Sequence, residues 1–249
     1  MENRLLMGKT PTILLIPGNM CDRRIWDGIL PFLSNWNVVH CEPREDTITG
    51  MARKCLEENA GPLLPIGFSM GANVALAMAQ EAPDRITALA LLDVNAGPDR
   101  AFRAQPRRDQ QHRVTNGGLV EVVTRELEPH YFSTENQGDP NLGRLVRDMA
   151  DALGPEVFVA QSEALRTRRD YRPLLQAIGI PVFLACGEED TLCPAQEHEQ
   201  LAAMIPDSSL HVIPNAGHML PLEQPERLGR HLAEWLVEVE RTTLCLTES

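Results

Sequence analysis

Basic side chains are scarce in this chain. Its 23 lysines and arginines face 35 aspartates and glutamates, which leaves 249 residues at a net charge of −12. So acidic a chain is a poor partner for nucleic acid or an anionic membrane surface. Long apolar runs are missing too. No stretch of about 18 apolar residues occurs, so no transmembrane helix is expected. Residues 1–10 hold no apolar stretch behind a basic one, and the run 13–16 is too short for the centre of a secretory signal. The six cysteines (Cys21, Cys41, Cys55, Cys186, Cys193 and Cys245) show neither CxxC spacing nor the density of a disulfide framework. A phosphate-binding G-x-x-x-x-G-K, an internal repeat and a cluster with metal-ligand spacing are all absent. A soluble, reduced, cytoplasmic protein is expected, long enough for one large domain or one domain with an insertion.

What is present is an alternation of short apolar runs with helix-like stretches, the pattern of a mostly parallel α/β sheet. Runs at 12–16, 38–41, 63–67, 88–93, 181–186 and 209–213 predict about six main strands. The stretches 25–33, 48–58, 72–82, 195–205 and 225–239 predict flanking helices. Pro65 sits inside the third run, where it removes a ladder hydrogen bond and predicts a local irregularity. The alternation then stops. Between Gly97 and Gly179 the apolar residues recur three and four apart, as in Leu142, Leu145, Val146 and Met149, punctuated by Pro98, Gly138 and Gly154-Pro155. Residues 97–180 therefore read as a helical insertion, too long for a loop, between the fourth and fifth strands of a core made of residues 1–96 and 181–249.

The chemistry concentrates at Gly67-Phe68-Ser69-Met70-Gly71, a G-x-S-x-G placed after a strand-like run and before an Ala-rich helix. A serine on so sharp a turn holds strained backbone angles, and its neighbours two positions away must lack bulk. The helix behind it aims its dipole and free N–H groups at the same point. Ser69 is the candidate nucleophile. A serine hydroxyl needs a base, and the base an orienting acid. His218 lies in the loop past the last strand-like run, where open α/β sheets collect functional groups; His40, ending the second strand, competes with it. The loop after the fifth strand, 187–194, supplies Asp190, in the chain order Ser69, Asp190, His218 expected of this architecture. Asp93 could reach the same histidine, and Glu188 and Glu189 read better as solvent-facing charge. An attacked carbonyl becomes an oxyanion and needs two preset N–H donors. Met70 supplies one backbone N–H, and Asn19, in the loop after the first strand, supplies the other, with Met20 as second choice. Phe68 either lines the pocket or fills the core, while Trp26, Cys21 and Cys193 read as packing residues.

These residues resemble the α/β-hydrolase superfamily over nearly the whole chain. Gly67–Gly71 looks like its nucleophile elbow, 187–194 like its acid loop, and Gly217-His218 with the following Leu222-Glu223-Gln224-Pro225 like its histidine loop. Pro17-Gly18-x-x-Cys21-Asp22-x-x-x-Trp26 is similar to a bacterial subgroup of small serine hydrolases near carboxylesterases, enol-lactonases and pimeloyl-ester hydrolases. Pro17 stands where most relatives carry a histidine. The resemblance implies a helical lid over the site and hydrolysis of a small ester, thioester or lactone through an acyl-enzyme, with no cofactor and no metal. A carbon–carbon hydrolase or lyase using the same triad, and a catalytically dead binding or scaffold protein, are the alternatives.

Charge is divided unevenly. Residues 97–180 carry twelve arginines, no lysine and twelve acids, so the whole net −12 belongs to the remainder. Arginine grips carboxylates with paired planar donors. The arginines concentrate at Arg100, Arg103, Arg107 and Arg108 and at Arg166, Arg168, Arg169 and Arg172. One of the group 166–172, Arg166, Arg169 or Arg172 foremost, is expected to meet an anionic end of the substrate, the alternative being surface helices with intrahelical ion pairs. The helix 156–169 and the turn 170–173 are expected to border the pocket.

Overall fold

Aliphatic residues on both faces bury the four central strands of a six-stranded sheet, with two half-buried edge strands, in the computed structural model, which describes residues 10–247. The stretch 1–9, on which the signal reading rests, and the side chain of Cys245 lie outside the described residues. The strands are β1 (Thr12–Ile16), β2 (Val38–His40), β3 (Leu63–Phe68), β4 (Leu89–Leu92), β5 (Val182–Gly187) and β6 (Ser208–Ile213). Every neighbouring pair runs parallel, in the order β2-β1-β3-β4-β5-β6. Ile13 and Leu15 face one apolar layer and Leu14 and Ile16 the other, the alternation a two-sided sheet requires. Each such fully buried side chain contributes about 1.5–3 kcal/mol.

Pro65 has its irregularity. Leu63 pairs with Ile86 but Ile66 with Ala90, so the β4 side takes up one extra residue opposite the proline before the regular ladder begins. The missing N–H falls where no ladder bond is formed.

The helices are α1 (Ile48–Glu58), α2 (Met70–Glu81), α3 (Ala104–Thr115), α4 (Leu119–Val122), α5 (Pro140–Arg166), α6 (Arg172–Ala177), α7 (Ala195–Met204), α8 (Leu220–Glu223) and α9 (Pro225–Thr247). The helix expected over 25–33 does not form as one unit. Two 3-10 turns stand there, Arg23–Trp26 and Leu30–Leu33, because Pro31 has no N–H to continue a helix. Between β4 and β5 the chain is mostly helical, with an irregular stretch at 131–139 and with α5 broken at Gly154 (φ 81°, ψ 176°) ahead of Pro155. A π-helical turn, Val123–Leu127, runs directly into Glu128–His130. No described helix is long and apolar enough to cross a membrane.

Candidate active site

Ser69 connects β3 to α2 with φ 52° and ψ −110°. Such a backbone costs a non-glycine residue about 1–3 kcal/mol. It is held from both sides: the Ser69 amide donates to the Leu92 carbonyl at 2.8 Å, and α2 begins at the next residue. A Cβ on Gly67 would lie 2.3 Å from the Gly71 carbonyl oxygen, and one on Gly71 would lie 2.0 Å from that of Ile16. The two glycines are therefore the space into which the turn closes.

The loop between β6 and α8 brings His218 over this turn. Its Nε2 lies 3.0 Å from Ser69 Oγ and its Nδ1 lies 2.8 Å from Asp190 Oδ2. With Nδ1–H given to the carboxylate, Nε2 is left as the acceptor facing the hydroxyl. Asp190 is buried, and its other oxygen accepts the amides of Leu192 (2.7 Å) and Cys193 (2.9 Å). Burial opposes its charge, but the His218 imidazole and the two amides outweigh it and hold the carboxyl below the usual range.

Asp93, the alternative acid, does not meet His218. It follows β4 directly with φ 47°, fully buried, and accepts the Gly187 amide at 3.0 Å. Burial, then the adjacent Asp190 charge, push its carboxyl well above the usual range. His40 ends the edge strand β2, two strands from β3. Glu188 is exposed, as expected, but Glu189 is not a free surface charge: its Oε2 accepts from the Thr134 amide (2.8 Å) and hydroxyl (2.6 Å) of the insertion.

The amides of Asn19 and Met70 donate to no acceptor among the described residues, whereas that of Met20 is taken by Gln161 Oε1 at 2.8 Å. Gln161 is buried on α5 and ties the insertion to the loop after β1. Nothing in the sequence marked it, since its partner is 141 residues away. Glu223 was also missed as a tie. Its Oε1 accepts the Gly217 amide (2.7 Å), and its Oε2 accepts the Ser133 amide (2.7 Å) and Asn136 Nδ2 (3.0 Å). The loops carrying His218, Asp190 and Asn19 are thus all fastened to the insertion.

A cavity of about 350 Å³ opens above Ser69, bordered by Asn19, Phe68, Met70 and His218 from the core and by Tyr131 and Leu165 from the insertion. That volume suits a small molecule. Phe68 is both core and wall: it is 1% exposed, with its ring centroid 5.5 Å from that of His218. Tyr131 stacks on the same imidazole at 6.3 Å.

The expected arginines are elsewhere. Arg166 pairs with Glu163, Arg172 with Asp170, Arg169 is exposed, and none of the three borders the cavity. The turn 170–173 stays away from it as well. The break at Gly154 and the packing of α5 set which side of that helix looks inward, and they select Leu165 and Arg168. The arginines that do border it are Arg100, Arg103, Arg107 and Arg168.

Among the described residues the one cluster of metal-ligand types is Asp190, Cys193 and His218, with donor atoms within 4.8 Å of one another. Burial holds the Cys193 thiol well up, and His218 Nδ1 is bonded to Asp190, so these donors suit a proton relay. Cys21 is buried with its thiol pushed up to about 12, and Trp26 is buried, as packing residues should be.

A family profile described as alpha/beta hydrolase fold matches residues 59–225, more than half of the chain. The chain belongs to the alpha/beta hydrolase family. Within that family it is 29% identical to a pimeloyl-[acyl-carrier protein] methyl ester esterase of Methylococcus capsulatus, over 92% of this chain and 96% of that one. A thermophilic esterase from Thermogutta terrifontis, solved with malate bound, superposes with a TM-score of 0.85 at 29% identity, over 94% of this chain and 92% of the other. The enol-lactonase of Burkholderia xenovorans shares the fold, with a TM-score of 0.79 at 20% identity over 92% of each chain. Hydrolase activity follows from this kinship.

Proposed function

We propose that the protein is a serine hydrolase that cleaves an ester-like bond of a small molecule, a carboxylic ester, thioester or lactone, by way of an acyl-enzyme on Ser69. The observation that carries this reading is the continuous relay from Ser69 Oγ to His218 (3.0 Å) to Asp190 (2.8 Å) at the floor of the cavity. His218 Nε2 takes the hydroxyl proton as Oγ attacks the carbonyl carbon, and Asp190 holds the resulting imidazolium. The tetrahedral oxygen carries the negative charge and accepts the amides of Asn19 and Met70. His218 then protonates the leaving group. Water, deprotonated by the same imidazole, releases the acid. No cofactor enters any step.

Residues 97–180 act as a lid that completes the site; the bonds from Gln161, Thr134 and Ser133 support this role. The two relatives at 29% identity are both esterases, which supports the bond type. The described cysteines are free and buried, which fits a reducing, cytoplasmic compartment.

The test is hydrolysis of p-nitrophenyl butyrate. Ser69→Ala and His218→Ala are each expected to lower kcat by about 10⁴-fold or more while the thermal melt is kept. A folded wild-type protein that turns over no short ester, thioester or lactone overturns the reading and directs attention to carbon–carbon cleavage or to a binding role.

A further inference from the structure

The chain as a whole carries −12, yet the cavity wall carries the opposite sign. Four arginines border it (Arg100, Arg103, Arg107 and Arg168) against two acids (Asp99 and Glu126). Glu126 is paired with Arg113 and Gln110, and Arg100 with Glu197. That leaves Asp99 with Arg103, Arg107 and Arg168 on the wall.

Asp99 is shared. Arg107 grips it through Nε (2.7 Å) and Nη2 (3.3 Å), and Arg168 reaches it through Nη1 at 3.0 Å. One carboxylate between two guanidiniums leaves a full positive charge over, in a place where the Asp99 and Arg168 side chains are each 6% exposed. Arg103 adds a second. It closes the 3-10 turn before α3, is half-buried, and its guanidinium has no hydrogen-bond or ion-pair partner among the described residues. A cation that borders a partly enclosed cavity without a counter-charge is held ready for an anion, because water screens it less there than on an open surface. Planar paired donors and a cavity of about 350 Å³ fit a carboxylate on a short chain.

We infer that Arg103, backed by the Arg107–Asp99–Arg168 group, forms a carboxylate subsite, and that the substrates are small esters bearing a free acid, such as half-esters of short dicarboxylic acids. This rests on the hydrolase reading above and adds the substrate class to it. Asp99 fixes the Arg107 fork from behind, while Arg103 supplies the donors that reach the ligand.

Binding decides the inference without need of turnover. Monomethyl glutarate is titrated into Ser69→Ala protein and into the Ser69→Ala, Arg103→Gln double variant by calorimetry. Loss of the charged fork is expected to raise Kd about tenfold or more, and Arg103→Lys in the same background is expected to restore part of the affinity. Equal Kd values with and without Arg103 overturn the subsite. Kinetics test the underlying reading separately, with p-nitrophenyl glutarate half-ester and its neutral counterpart, p-nitrophenyl valerate. Arg103→Gln is expected to lower the kcat/KM ratio of the acid ester to the neutral one about tenfold. Turnover of the valerate ester together with equal Kd values removes the subsite and leaves the hydrolase. No turnover of either ester removes the hydrolase reading, and the titration still decides the subsite.

Discussion

Gln161→Met tests whether the insertion holds the oxyanion loop in place. The side chain of Gln161 is 3% exposed, and its Oε1 is the acceptor for the Met20 amide at 2.8 Å. Methionine fills nearly the same volume with no acceptor, so the change orphans one buried N–H at a cost of about 1–3 kcal/mol. Met20 already holds a positive φ of 55°, and without its bond little keeps it there. For a domain of this size each kcal/mol lowers Tm by about 2–4 °C, so a fall of about 2–12 °C is expected. The kinetic effect is larger. If Met20 relaxes, the adjacent Asn19 amide leaves the point where the oxyanion forms, and losing one such donor lowers kcat by about 10²–10³-fold. KM for a neutral ester should change little, because the donor acts on charge that exists only in the transition state. Stopped assays with p-nitrophenyl butyrate and a thermal melt read both effects. A Gln161→Met protein that melts and turns over as wild type refutes the idea that α5 positions this loop.

Two further substitutions probe buried charge. Asp93→Asn keeps the acceptor for Gly187 but cannot ionise. Because the folded pKa of Asp93 is raised, wild-type stability declines as pH climbs from about 4 through that pKa, so the variant should gain Tm over wild type progressively toward pH 8; parallel melting curves across pH would contradict it. Asp99→Asn leaves Arg107 and Arg168 uncompensated and should cost about 3–5 kcal/mol at neutral pH. Burial opposes the Asp99 charge, but the two arginines hold its carboxyl below the usual range, so the loss should shrink as pH falls through that depressed pKa, measured as a narrowing Tm gap below about pH 4.

Features set by short-range chemistry were legible. The six runs became the six strands, and for the four central ones burial on both faces explains the continuous apolar run. Ser69, Asp190 and His218 were found from strand ends and turn glycines, and the structure brings them together. Features set by packing were not. The sequence favours the arginines at 166–172, but which ones border the cavity depends on where α5 breaks and how α3 packs against it. That geometry chose Arg103, Arg107 and Arg168 over Arg166, Arg169 and Arg172. Gln161 and Glu223 bind partners 141 and 90 residues away, and no local pattern encodes such pairings.

The central claim is covalent chemistry at Ser69, and trapping the intermediate tests it most directly. Wild-type protein is mixed with p-nitrophenyl butyrate, quenched in acid during turnover, digested and mapped by mass spectrometry. The butyryl group is expected on the peptide that holds Ser69, at a stoichiometry that falls to background in Ser69→Ala. Ester turnover that survives Ser69→Ala, or an acyl group carried by another residue in its place, would contradict the account.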